Sequence, residues 1–94
     1  MDLKEYRKEI DGIDGELVKL FVRRMRVSEG IGAWKRENGV AALDGARERE
    51  KLRTVLEAAP EDLREETARL YSLLFELSRA RQERILSGDA GERG

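Results

Sequence analysis

Residues 3–39, LKEYRKEIDGIDGELVKLFVRRMRVSEGIGAWKRENG, decide the fold. Leu3, Ile10, Leu17 and Ile31 fall on one heptad position, and Tyr6, Ile13, Leu20, Val27 and Trp34 on another. No Pro interrupts the pattern, and Asn38-Gly39 supplies a stop signal. Asp2, with Glu5 three residues on, reads as a capping box at the start. The spacing predicts one helix over about residues 2–38. At 1.5 Å per residue such a helix is about 50 Å long, longer than a compact domain of this size. Gly12, Gly15, Gly30 and Gly32 each cost it about 1 kcal/mol against Ala, so packing has to hold it straight. The alternative is a break near Gly12–Gly15 that leaves two short helices.

Two shorter helices follow. Asp44 is a good N-cap for a helix over about 44–58, with Leu52, Val55 and Leu56 on one face. Pro60 fits the first turn of a third helix over about 61–87, carrying Leu63, Leu70, Tyr71, Leu74, Phe75, Leu77 and Ile85. The residues 88–94, GDAGERG, are too polar and glycine-rich to pack and are expected to be a disordered tail after a single domain over 1–87. The expected architecture is all-α, one long helix and two shorter ones. An apolar stripe that outruns its two short partners needs another chain to cover it, so an intertwined homodimer is expected.

Composition narrows the chemistry. Charged residues make up 41% of the 94 and aromatics 5%, as solvated helices require. Acidic and basic residues nearly cancel, 20 against 19, and are interleaved along every helix, so no basic face for nucleic acid stands out despite fourteen Arg. With no Cys and no His, disulfides, thiol nucleophiles, imidazole bases and most zinc sites are excluded. The charged start, MDLKEYRKE, is neither a signal peptide nor a membrane span, which leads to the expectation of a cytoplasmic protein.

The informative residues are polar ones inside apolar stripes. Arg24 takes the heptad position of Leu17 and Ile31, and Lys35 lies eleven residues on, nearly on the same face. Glu48 precedes Leu52 by four and Val55 by seven, so it points inward with them. Ser78 and Gln82 interrupt the series Tyr71, Leu74, Phe75, Ile85. Taken singly, each has an ordinary explanation: a snorkelling cation, a Ser bonded to its own helix, an edge Gln or Glu. Asp44 and Arg47 alone read as helix-end charges. Taken together, three helices each spoil a buried face, and desolvated charges cost several kcal/mol per ion unless partners are close. A cavity for an anionic, hydroxylated small molecule explains the set; structural ion pairs are the competing explanation. Arg7, seventeen residues before Arg24, lies roughly 25 Å away along a straight helix and faces about 100° aside. One small ligand cannot be gripped by both from one chain.

The order Arg7, Arg24, Lys35, Asp44, Arg47-Glu48, Ser78, Gln82 resembles the all-α (AroQ-class) chorismate mutases. The local text agrees, in RKEIDGIDGELVKLFVRRM, IGAWKRENG, LDGAREREKL and LLFELSRARQ, and the likeness spans about residues 3–86. The resemblance implies a [3,3] rearrangement of chorismate to prephenate, on the way to Phe and Tyr, with no cofactor and no metal. It implies a dimer of crossed long helices. By position, Arg24 with Ser78 would bind the ring carboxylate, and Arg7 of the partner subunit, helped by Lys35, the enolpyruvyl carboxylate. Lys35 and Gln82 would donate to the ether oxygen, and Glu48 with the Asp44 backbone N–H would bind the ring hydroxyl. Arg47 would lie near the carboxylates and help hold Glu48, between apolar walls from Ile31 and Phe75.

Two departures accompany the likeness. Arg79 stands where the family usually has a small or aliphatic pocket residue, and Gly12 and Gly15 weaken the first helix. Two other readings compete: an isochorismate–pyruvate lyase, and a non-catalytic helical dimer or regulatory module.

Overall fold

The computed structural model describes residues 1–88. Helix α1 runs over Leu3–Asn38, α2 over Gly45–Ala58 and α3 over Arg64–Leu86. No strand occurs among the described residues. The expected tail lies, from residue 89 onward, outside them. No helix of the described residues is long and apolar enough to cross a membrane.

Local chemistry sets the helix ends. The Asp2 side chain accepts from the Glu5 N–H at 2.9 Å while the Glu5 carboxylate accepts from the Asp2 N–H at 3.2 Å, closing the capping box. Gly39 adopts φ 66°, a left-handed conformation that a side chain disfavours, and Val40 N–H then returns to the Lys35 carbonyl at 2.8 Å. Asp44 caps α2 by accepting from the Arg47 N–H at 3.0 Å. The third segment begins differently from the simple helix expected there. Glu61–Leu63 form a 3-10 turn, with Leu63 N–H donated to the Pro60 carbonyl at 2.9 Å, and only then does α3 start. Helix α1 is continuous through Gly12 and Gly15, so the broken alternative is not what the chain adopts.

Helix α3 is the element on which both others pack. The molecule is a slab of 53 × 35 × 14 Å, little more than one helix thick. Its one buried apolar side chain among the described residues is Ala42, and Ser28, Ser78 and Gln82 are the buried polar ones. Gly32 sets how closely α1 and α3 approach. A Cβ there would stand 3.0 Å from the Ile85 Cβ and 3.1 Å from the Gln82 Cα, tighter than an alanine can accept without movement. Nothing lies within 4 Å of the corresponding point at Gly12, Gly15 or Gly30. Below this crossing, Glu29 ties the two helices, accepting from Arg81 Nε at 2.6 Å and from Arg26 at 2.8 Å. The hydrogen bond from Arg81 is the main reason the Glu29 carboxyl is held below its ordinary range, against a smaller opposing effect of desolvation.

The first 23 residues are exposed throughout. Leu3, Tyr6, Ile10, Ile13 and Leu17 keep 52–62% of their surface open to solvent. Burying a side chain of this size is worth about 1.5–3 kcal/mol, so this stripe is a large unsatisfied driving force.

Candidate active site

The C-terminal half of α1, the 42–44 loop, the start of α2 and the middle of α3 enclose a pocket of about 240 Å³. This lies just below the range of about 300–1,000 Å³ typical of drug-sized ligands and suits a small metabolite. Lys35 is its centre. Its ammonium donates to the Ala42 carbonyl at 2.7 Å and to Gln82 Oε1 at 3.0 Å. Three N–H bonds are available on an ammonium, so one donor remains for a ligand. Because Oε1 of Gln82 is taken as the acceptor, the amide orientation is set and Nε2 is left as the free donor. Gln82 is 7% exposed, yet no buried side-chain nitrogen or oxygen of the described residues lacks a partner. Its Nε2 is therefore not sealed off, and the open space it borders is the pocket that Gln82 lines.

A second group lies further along α1. Arg24 Nη1 donates to Ser78 Oγ at 2.6 Å, and the Ser28 hydroxyl donates to the same oxygen at 3.0 Å. Ser78 thus fixes the guanidinium, whose Cζ stands 6.0 Å from the Tyr71 ring centroid. Tyr71 itself packs edge-on against Phe75, with centroids 5.9 Å apart. Ile31 and Phe75 supply apolar wall.

The third group differs from the expectation drawn from the resemblance. Glu48 is not held by Arg47. Arg79 Nη1 donates to both Glu48 oxygens at 2.6 Å, across the α2–α3 interface. Arg47 instead pairs with Glu50 at 3.3 Å on the exposed side of α2. The reason is helical geometry: residues three apart share a face, whereas Arg47 and Glu48, being adjacent, point about 100° apart. Arg79 is therefore directed onto Glu48 at the pocket.

Nine residues singled out from the sequence, Arg24, Ile31, Lys35, Asp44, Arg47, Glu48, Phe75, Ser78 and Gln82, border this one pocket. Arg7 does not. It lies beside Leu3, Lys4 and Asp11 at the far end of α1. Ser28 and the Ala42 carbonyl were not anticipated. Ser28 had a signal, since it follows Arg24 by one helical turn on the same stripe; a backbone carbonyl leaves no trace in a sequence. Five cations (Arg24, Lys35, Arg47, Lys51, Arg79) face two carboxylates (Asp44, Glu48) around the cavity, a balance that favours an anion.

Three helices around a small pocket lined by more cations than carboxylates make this an all-α protein whose cavity favours an anion. The chain belongs to the chorismate mutase type II family, whose sequence model matches residues 6–83. No curated protein and no solved structure matches the chain. Membership makes it an isomerase with chorismate mutase activity, and it favours neither the lyase nor the non-catalytic reading.

Proposed function

We propose that this pocket folds chorismate into a chair-like conformer and lets it rearrange to prephenate, within a single catalytic domain over residues 1–87. The C–O ether bond breaks as a C–C bond forms in one cyclic electron shift, with no proton transferred and no covalent intermediate. The protein's contribution is orientation of a flexible substrate and fixed donors where negative charge grows on the ether oxygen. Lys35 and Gln82 are those donors. Arg24, held by Ser78, takes the ring carboxylate; Glu48 and the Asp44 backbone N–H take the ring hydroxyl. Arg47 lies at the mouth, and Ile31 and Phe75 are the walls. No cofactor or metal takes part. Arg7 of the partner subunit grips the enolpyruvyl carboxylate, in a homodimer whose crossed α1 helices cover each other's apolar stripe. The substrate is the branch-point metabolite of Phe and Tyr synthesis, and the enzyme works in the cytoplasm.

The observation that carries this reading is the Lys35–Gln82 hydrogen bond, which leaves one N–H of Lys35 and the amide nitrogen of Gln82 for the same cavity. Lys35→Ala is expected to lower kcat about 100- to 1,000-fold, the usual effect of removing one preorganised donor to a developing oxyanion. Prephenate formation by the purified chain, with far-UV circular dichroism to check the fold, tests this. Turnover by Lys35→Ala within about threefold of the unsubstituted chain would rule the assignment out. Isochorismate supplied in parallel tests the lyase chemistry directly.

A further inference from the structure

Among the described residues, Arg79 is the pocket cation that forms an ion pair with a pocket carboxylate, Glu48. Helix α3 presents Ser78, Arg79 and Gln82 to the cavity within little more than one turn. Ser78 and Gln82 each serve a cation of α1, whereas Arg79 reaches the opposite way, to α2. Both members of the Arg79–Glu48 pair are partly buried, at 32% and 24% exposure of their side chains. Only Nη1 of Arg79 is engaged, and it bridges both carboxylate oxygens.

We propose that Arg79 is a positioning residue for substrate binding: it clamps the Glu48 carboxylate against α3 and cancels its charge, so that a dianion can settle beside it. The proposal rests on the assignment of this pocket to chorismate. A carboxylate facing a doubly negative ligand repels it unless neutralised, yet the same carboxylate is needed as an acceptor for the ring hydroxyl. An arginine bridging the two oxygens resolves the conflict. Each carboxylate oxygen retains a lone-pair direction for the hydroxyl, and the pair as a whole is neutral. Arg47 pairs with Glu50 instead. The ring hydroxyl keeps its bonds during the rearrangement, so this contact is equal in ground and transition states. It therefore acts on KM rather than on kcat.

The test is steady-state kinetics on chorismate with Arg79→Gln, Arg79→Val and Arg79→Lys, beside Glu48→Gln and the double variant Glu48→Gln/Arg79→Gln. Arg79→Gln and Arg79→Val are expected to raise KM about tenfold with kcat within about threefold, and Arg79→Lys to restore most of the affinity. In the Glu48→Gln background, where no charge needs cancelling, Arg79→Gln is expected to change KM less than about twofold. Arg79→Gln keeps an unbranched, polar, helix-compatible side chain and carries the test if Arg79→Val does not fold. An unchanged KM in both neutral variants, or a fall confined to kcat, overturns the proposal while leaving chorismate as substrate. An unsubstituted chain that folds but does not turn over chorismate overturns both.

Discussion

The two halves of α1 carry the same heptad register and do opposite things with it. From Leu3 to Arg23 the stripe is apolar and every residue is exposed. From Arg24 to Asn38 it is interrupted by Arg24, Ser28 and Lys35, and each of these has a partner on α3 or in the 42–44 loop. Only the last turns of the apolar half, Leu17 to Phe21, border α3, at Leu70, Tyr71 and Leu74, while the polar half is bonded to α3 and to the 42–44 loop. Apolar surface is non-directional and will pair with any matching stripe. Charged groups in a partly dry interface demand specific partners at specific distances. One helix thus carries an exposed apolar stripe at one end and a wall of the pocket at the other.

Substitutions in the two halves should separate sharply. The largest effect is expected from Ile10→Glu. On a chain whose α1 stays free, a charge at this exposed position would change stability by no more than about 0.5 kcal/mol. If two copies cover each other's stripe, it should halve the solution mass and abolish prephenate formation, as light scattering and the assay would report. Gln82→Glu, in the other half, should lower activity at neutral pH about 100-fold, because an ionised carboxylate cannot donate to the ether oxygen. Activity should recover as pH falls toward the usual carboxylate range; a flat pH profile would remove Gln82 from the ether-oxygen contact.

Two glycines refine the contrast. Gly32→Ala should destabilise by about 1–3 kcal/mol, since its methyl meets the Gln82 backbone and Ile85. Gly15→Ala lies two residues from both Ile13 and Leu17, off the stripe and in open space, and should stabilise by about 0.5–1 kcal/mol. Thermal denaturation reads both, and equal shifts would mean the α1–α3 approach is looser than described.

The smallest effect is expected at Glu29. Its folded-state carboxyl titrates below the ordinary value of 4.5, so its contribution to stability is complete above that pH. That contribution is lost as pH falls through the depressed folded value. Glu29→Gln should therefore flatten part of the dependence of Tm on pH below about 4.5, with little change at neutral pH. Glu29 is partly open to water, which keeps the effect modest.

Much of this was legible beforehand. The heptads gave three helices because burial of a helical face leaves a periodic record in the chain. Arg24, Lys35, Glu48, Ser78 and Gln82 stood out because polar residues in an apolar stripe are costly and so conspicuous. Less legible was which charge meets which. The resemblance implied that Arg47 helps hold Glu48, but Arg47 pairs with Glu50 and Arg79, thirty-one residues from Glu48, takes that place.

By itself, then, the sequence determined the helices, their caps and the list of polar residues that face inward, because these depend on periodicity and short-range chemistry. Only the tertiary structure decided the partners: Arg79 for Glu48, Ser28 for Ser78, the Ala42 carbonyl for Lys35, and Gly32 as the point of closest approach. Those choices depend on how α3 lies against α1 and α2, and side-chain reach across helices is a property of the packed chain.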